Sequence, residues 1–194
     1  MTKKTFVVVL LAFICTQSIH SQANNKPVYV EENVTVKAGN RDLSIFNLYG
    51  PVKSCIYEEE YNEDEYYHRE FDRNGRWLSE NGEAVSTLFP KGVRRSKVGR
   101  IVFGDSGFGE IYYKYNNNGL LKKIIWVDKA DGDRYESIRT FYYDKRGLIV
   151  RMEWETGDFP PTNFTILETD KYGNWTKRES SEGRVSTQTI TYYE

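Results

Sequence analysis

The tryptophans are the residues whose type and spacing most suggest chemistry. Trp126 and Trp154 stand 28 positions apart, and each follows a glycine, Gly119 or Gly147, by seven. Trp77 and Trp175 each follow a glycine, Gly75 or Gly173, by two. On a sheet, rings in register make a platform for a sugar ring or a partner's apolar surface. The same spacing arises when repeats stack their own cores into a ladder. Both readings remain open, and these four are the candidate ligand-binding residues.

The other reactive types offer less. "YEEEYNEDEYY" at 57–67 gathers Glu58, Glu59, Glu60, Glu63, Asp64 and Glu65 around an expected turn. It lacks the alternating Asp and pivotal Gly of calcium loops, so a solvated hairpin tip is the simpler reading. The basic stretch with Lys91, Arg94, Arg95, Lys97 and Arg100 has the chemistry to hold an acidic glycan or a phosphate, or to face the acidic tip. His68, in "YYHREFD", has no serine in a Gly-x-Ser-x-Gly setting to activate. Cys55, in "VKSCIYEEEY", reads as an inward strand residue rather than a nucleophile. Outside the first 21 residues the chain has one histidine and one cysteine, which do not make a usual zinc ligand set. We therefore expect no catalytic residue, no metal site, no cofactor and no enzymatic activity. The sequons at Asn33, Asn163 and Asn174 matter only in a eukaryotic secretory pathway.

The elements that position these residues follow from one recurring frame. "FDRNGRWLS" (71–79), "YNNNGLLKK" (115–123), "YDKRGLIVR" (143–151) and "TDKYGNWTK" (169–177) share Asp or Asn, two spacers, Gly, a spacer and a large apolar residue. The pairs are Asp72 with Gly75, Asn116 with Gly119, Asp144 with Gly147, and Asp170 with Gly173. Asp or Asn starts a type I turn through its side-chain acceptor, and Gly takes the positive-φ position that closes a hairpin. Gly119, Gly147 and Gly173 are 28 and 26 residues apart, the period of a stacked supersecondary unit. Gly92, in "FPKGVRR", is a weaker candidate copy. "ENG" at 80–82, "GDSG" at 104–107, "ADG" at 130–132, "TGDFPP" at 156–161 and "SEG" at 181–183 read as reversals between strands. Leu148, Val150, Met152 and Trp154 alternate with polar residues, although Ile149 breaks the pattern.

The chain has 15 tyrosines and is 15% aromatic, a composition that suits pleated strands. Lys3 and Lys4, the apolar run from Phe6 to Cys15 and the small residues beyond read as a cleaved signal peptide over 1–21. Cleavage after Ser21 or Ala23 fits, and lipidation at Cys15 is disfavoured by Ile14 before it. The run is too short to span a bilayer. The remaining chain carries 25 basic and 28 acidic residues, which argues against nucleic acid as the main partner.

The frame resembles the YD repeat of RHS-type proteins, written Tyr-Asp, two spacers, Gly, Arg or Asn, then Leu or Trp. "YDKRGLI" matches best, with "DKYGNWTK" and "FDRNGRW" beside it, and "LYGPVKSCIYEEEY" resembles the entry strand of small exported bacterial proteins with such repeats. In large members the repeats wind a shell around a cargo. This chain has too few to enclose one.

The expected fold is all-β: an antiparallel meander of repeated hairpins with roughly a dozen strands from Val52 to Tyr193. The sheet is expected to curl, to close partly or to split into two layers. Residues 22–45 read as a polar tether with an edge strand in "VYVEENVTV", and 46–194 as the repeat domain. The closing "TQTITYYE" either leaves an edge or pairs back on the first strands. The expected role is an exported binding or surface module for a glycan or a protein, or else a structural envelope protein acting through strand edges.

Overall fold

The computed structural model describes residues 41–60, 62–128 and 135–194. The signal peptide, most of the tether and "ADG" at 130–132 lie outside these residues. The chain starts with a short 3-10 turn, Arg41–Ile45, and a first hairpin of β1 (Val52–Glu59) and β2 (Asn62–Phe71). Two short strands follow, β3 (Trp77–Glu80) and β4 (Glu83–Ala84), and a single helical turn, α1 (Val85–Leu88), leads to β5 (Val93–Arg95). Then come β6 (Ile101–Asp105), β7 (Gly109–Tyr115), β8 (Leu121–Asp128), β9 (Tyr135–Tyr143) and β10 (Ile149–Trp154). The last three are β11 (Thr162–Thr169), β12 (Trp175–Ser180) and β13 (Val185–Tyr192).

Among the described residues the thirteen strands form one sheet in the order β4-β3-β2-β1-β13-β12-β11-β10-β9-β8-β7-β6-β5, not closed into a barrel. The closing strand does pair back: β13 runs antiparallel to β1, with Cys55 opposite Ile190. The two edges are β4 and β5, and α1 carries the chain from one to the other.

The sheet curls until its edges nearly meet. The Asp42 carboxylate accepts from the backbone N–H of Trp77 on β3 (3.0 Å) and of Ile101 on β6 (3.0 Å), next to opposite edges. Arg95 on β5 adds a guanidinium to both of its oxygens, at 2.9 and 2.8 Å. Four donated hydrogen bonds compensate a carboxylate with no solvent exposure. The core lies inside this curl, where Val52, Cys55, Phe71 and Trp77 from the β1–β3 side pack with Ile101, Tyr113 and Leu121 from the β6–β8 side. Phe89 fills the seam between the edges. Its ring lies so close to Gly104 on β6 that a Cβ there would stand 2.5 Å from it.

Residues 41–45 therefore belong to the core and not to a tether: Leu43 is 1% exposed and joins the main cluster. The segment that follows crosses one end of the curl. Asn47 donates to the Gly147 carbonyl (2.8 Å) and accepts from Ile149 N–H (3.0 Å), while Asn174 exchanges hydrogen bonds with both backbone groups of Tyr49 (2.6 and 3.0 Å). It bridges the place where β10 and β11 part, since their ladder holds only two opposed pairs, Arg151 with Asn163 and Met152 with Thr162.

The recurring frame makes one turn each time. At Asp144, its N–H donates to Leu148 O (2.9 Å) and Gly147 N–H donates to Asp144 O (3.0 Å). Its Oδ1 accepts from Arg146 and Leu148 N–H, both at 2.9 Å. Asp72, Asn116 and Asp170 repeat these four bonds with their own Gly75, Gly119 and Gly173. This is the type I turn closed by a positive-φ glycine. Gly92 is not a copy, because Phe89 N–H bonds back to Val85 in α1 rather than across a hairpin. Two further turns belong to the frame, Ser96–Gly99, which the sequence did not single out, and Ser180–Gly183, read from "SEG" only as a reversal, with the serine Oγ replacing the carboxylate.

Each of the four Asp or Asn copies also bulges, which resolves the broken alternation at Ile149. The β9–β10 register shifts between Ile149 and Arg151, so Ile149 turns into the core and Val150 is skipped. The aromatic before the Asp ties one copy to the last: Tyr115 Oη donates to Ile101 O (2.8 Å) and Tyr143 Oη to Leu121 O (2.5 Å). Those carbonyls lie two residues past Gly99 and Gly119.

Candidate binding site

The curled sheet has two unlike ends. Five of the repeat turns (72–75, 96–99, 116–119, 144–147 and 170–173) lie at the turn end, which residues 41–49 close off. The connections β6–β7, β8–β9 and β10–β11 lie at the loop end.

Trp126 and Trp154 sit on the inner face near the loop end. Trp126 lies opposite Ile111 on β7 and Ser137 on β9, while Arg139 lies opposite Ile124 on β8 and Trp154 on β10. Directly opposed residues of an antiparallel pair share a face. Ile111 and Ile124 pack against the main core, so this face is the inner one. Glycine plus seven thus points inward, past a bulge that resets the alternation.

The two indoles stack with centroids 6.1 Å apart and planes 26° apart. The Arg139 guanidinium lies 4.1 Å from the Trp154 ring and 5.1 Å from that of Trp126, within cation–π range. Phe159, 53% exposed, stands 6.2 Å from Trp154. Both indoles are half-buried. Phe108, at 73%, in the β6–β7 connection and Tyr135, at 64%, the first residue of β9, are exposed at the same end. Three successive hairpins thus each bring one exposed ring to the mouth of the curl.

Trp77 and Trp175, grouped by sequence with the other two, are core residues at 6% and 3% exposure. Trp77 meets Phe46 and Phe89 edge-on, and its Nε1 donates to Ser79 O (2.9 Å). Trp175 packs with Tyr49, Leu120 and Leu148 under an Arg178 guanidinium at 4.2 Å. Glycine plus two is the first inward position after the turn, deep at the closed end, so no ligand reaches these rings. Register with the repeat therefore carried two meanings. The offset from the glycine separates them.

Phe108, Tyr135, Phe159 and Arg139 were not singled out by sequence. The first three flank turns outside the repeat frame, which leaves large apolar residues at loop tips as their only signal. Arg139 becomes visible only through the β9–β10 register.

The remaining candidates resolve as structure. Cys55 is buried, its Sγ donates to Gln188 Oε1 (3.3 Å), and burial pushes its thiol up to about 12, which keeps the thiolate out of reach. His68 serves through its backbone, paired with Asn81 of the β3–β4 turn at 2.7 Å in both directions. The Asp72 carboxylate is taken up by its own turn. Of the acidic run, Glu58 and Glu60 are exposed at the β1–β2 tip, while the side chains at 61–65 lie outside the described residues. Among the described residues no group of three His, Cys, Asp or Glu is placed to hold a metal ion. No helix there is long and apolar enough to cross a membrane.

No protein-family model matches the chain, and no curated protein is similar to it.

Proposed function

We propose that this chain is an exported, non-enzymatic binding module of YD-repeat type that takes a glycan at the loop end of its curled sheet. The observation that carries the reading is the half-buried, stacked Trp126–Trp154 pair on the inner wall. It stands beside a guanidinium and next to the exposed Phe159 ring, with Phe108 and Tyr135 exposed at the same end. Flat apolar faces with a few polar groups at a concave mouth suit sugar rings, which stack through their C–H faces and hydrogen-bond at their edges. The strand-edge alternative is weaker. The edges are two and three residues long, and they carry Glu83 and Arg94, the blunting that keeps sheets from pairing with other chains.

The test is a glycan screen on the protein recovered after export, followed by titration of the best ligand with tryptophan emission as the readout. Trp126→Ala and Trp154→Ala are each expected to weaken binding by roughly tenfold. Phe164→Ala, one strand beyond the site, serves as a folded control and is expected to bind as the parent does. A screen without hits, or tryptophan variants that bind like the parent, sinks the glycan reading.

A further inference from the structure

The turn end carries a second, separate surface. In the repeat turns the two residues between acceptor and glycine form the tip, and at this end the tips bring Arg73, Lys97, Lys145, Arg146 and Lys171 into solvent. The acids of the same turns point the other way: Asp72, Asp144 and Asp170 are half-buried against their own backbone amides. The cations stay outermost. Arg146 leans on Asp144 at 2.9 Å while 61% of its side chain remains exposed. Two tips pair a lysine with an apolar or amphipathic neighbour, Lys97 with Val98 (64% exposed) and Lys171 with Tyr172 (39% exposed). Most exposed acids lie at the opposite end, among them Glu58, Asp128, Glu136, Asp158 and Glu182, while Glu168 and Glu194 are exposed acids near the turn end, the latter accepting from Arg73 through its backbone carbonyl.

We infer that the turn end docks on an anionic lipid surface. Five tips around the closed end of a curl present a face and not a groove, which suits a bilayer better than a polymer strand. Lysines near an anionic leaflet are attracted within about a Debye length, and a Val or Tyr among them reaches headgroup level. The acidic loop end is repelled by the same surface, which orients the aromatic mouth outward. The inference does not depend on what that mouth binds.

The test is co-sedimentation of the exported protein with phosphatidylglycerol–phosphatidylcholine vesicles and with phosphatidylcholine alone. Binding is expected to the first only, and to fall as salt rises. Lys97→Glu with Lys145→Glu and Lys171→Glu should lower partitioning by about a hundredfold, a several-fold loss per reversed charge. The matching triple Lys→Arg variant, with the same N-terminus, should bind as the parent does. It separates loss of charge from loss of fold. Equal binding to neutral vesicles overturns the inference, as does a triple Glu variant that binds like the parent. Capture by soluble polyphosphate without capture by anionic vesicles overturns it too, in favour of a polymeric ligand.

Discussion

Asp42 concentrates the closure of the sheet in one side chain. Its two oxygens meet donors 35, 53 and 59 positions away in sequence, from β3, β5 and β6. Replacing it with alanine strands the Arg95 guanidinium and two buried N–H groups together. Loss of one member of such a buried pair costs about 3–5 kcal/mol. Asp42→Ala should show this as a lower urea midpoint, and Asp42→Asn, which keeps one of the two acceptor oxygens, should lose less. Equal losses would mean that the edges are held only when both carboxylate oxygens accept. Nothing in "RDLSIFN" announces the role. The segment has neither helical nor strand period, and its partners are distant, so a reading limited to local pattern places it with the tether. The tryptophans show the opposite case, since their spacing was legible and their depth was not. Burial depends on which turn-relative offset survives the bulge.

At the scale of the element, the hairpin turn is where the sequence speaks most plainly. The all-β meander was legible because polar acceptor, two spacers and glycine specify a turn by local chemistry alone. The two serine turns were not recognised as copies of the frame, the second being read only as a reversal, because Ser was not admitted as the acceptor, although "SKVGRI" and "SSEGRV" keep the Gly-x-apolar half of the frame. Inward and outward faces were not legible, because each bulge shifts the alternation by one. The chain itself supplies a prediction about the acceptor. Asn116 makes the same two Oδ1 bonds, at 3.0 Å, that Asp144 makes at 2.9 Å. Neutral and charged acceptors therefore serve one geometry. Asp144→Asn should leave thermal stability nearly unchanged, while Asp144→Ala, which leaves two turn N–H groups without that acceptor, should cost about 1–2 kcal/mol. Differential scanning calorimetry distinguishes the two. A large loss in Asp144→Asn would show that the carboxylate charge, shared with Arg146, matters more than the turn.

At the scale of the whole molecule, several buried or half-buried tyrosines join a mostly aliphatic core, and they set how the fold fails at high pH. Burial pushes the Tyr49 phenol up to about 12, with the charge of Asp144 adding to it and a hydrogen bond from Asn47 opposing. Tyr142 rises to about 12 chiefly through its hydrogen bond to Glu153. Burial drives Tyr113, Tyr115, Tyr143 and Tyr192 higher still. An unfolded chain ionises its phenols near pH 10. Below that pH both states hold the proton and the contribution of these groups is complete. Between pH 10 and about 12 only the unfolded chain releases it, so stability falls as pH rises, by about 1.4 kcal/mol per pH unit for each well-buried phenol. Several such phenols acting together exhaust an ordinary domain stability of about 5–15 kcal/mol within that window. The phenolate absorbance near 295 nm should therefore show a late, steep rise that coincides with loss of near-ultraviolet circular dichroism. A single smooth titration centred near pH 10 with the dichroism intact would mean that the interior admits phenolate, and that the tyrosine-lined curl is far more open than its burial implies.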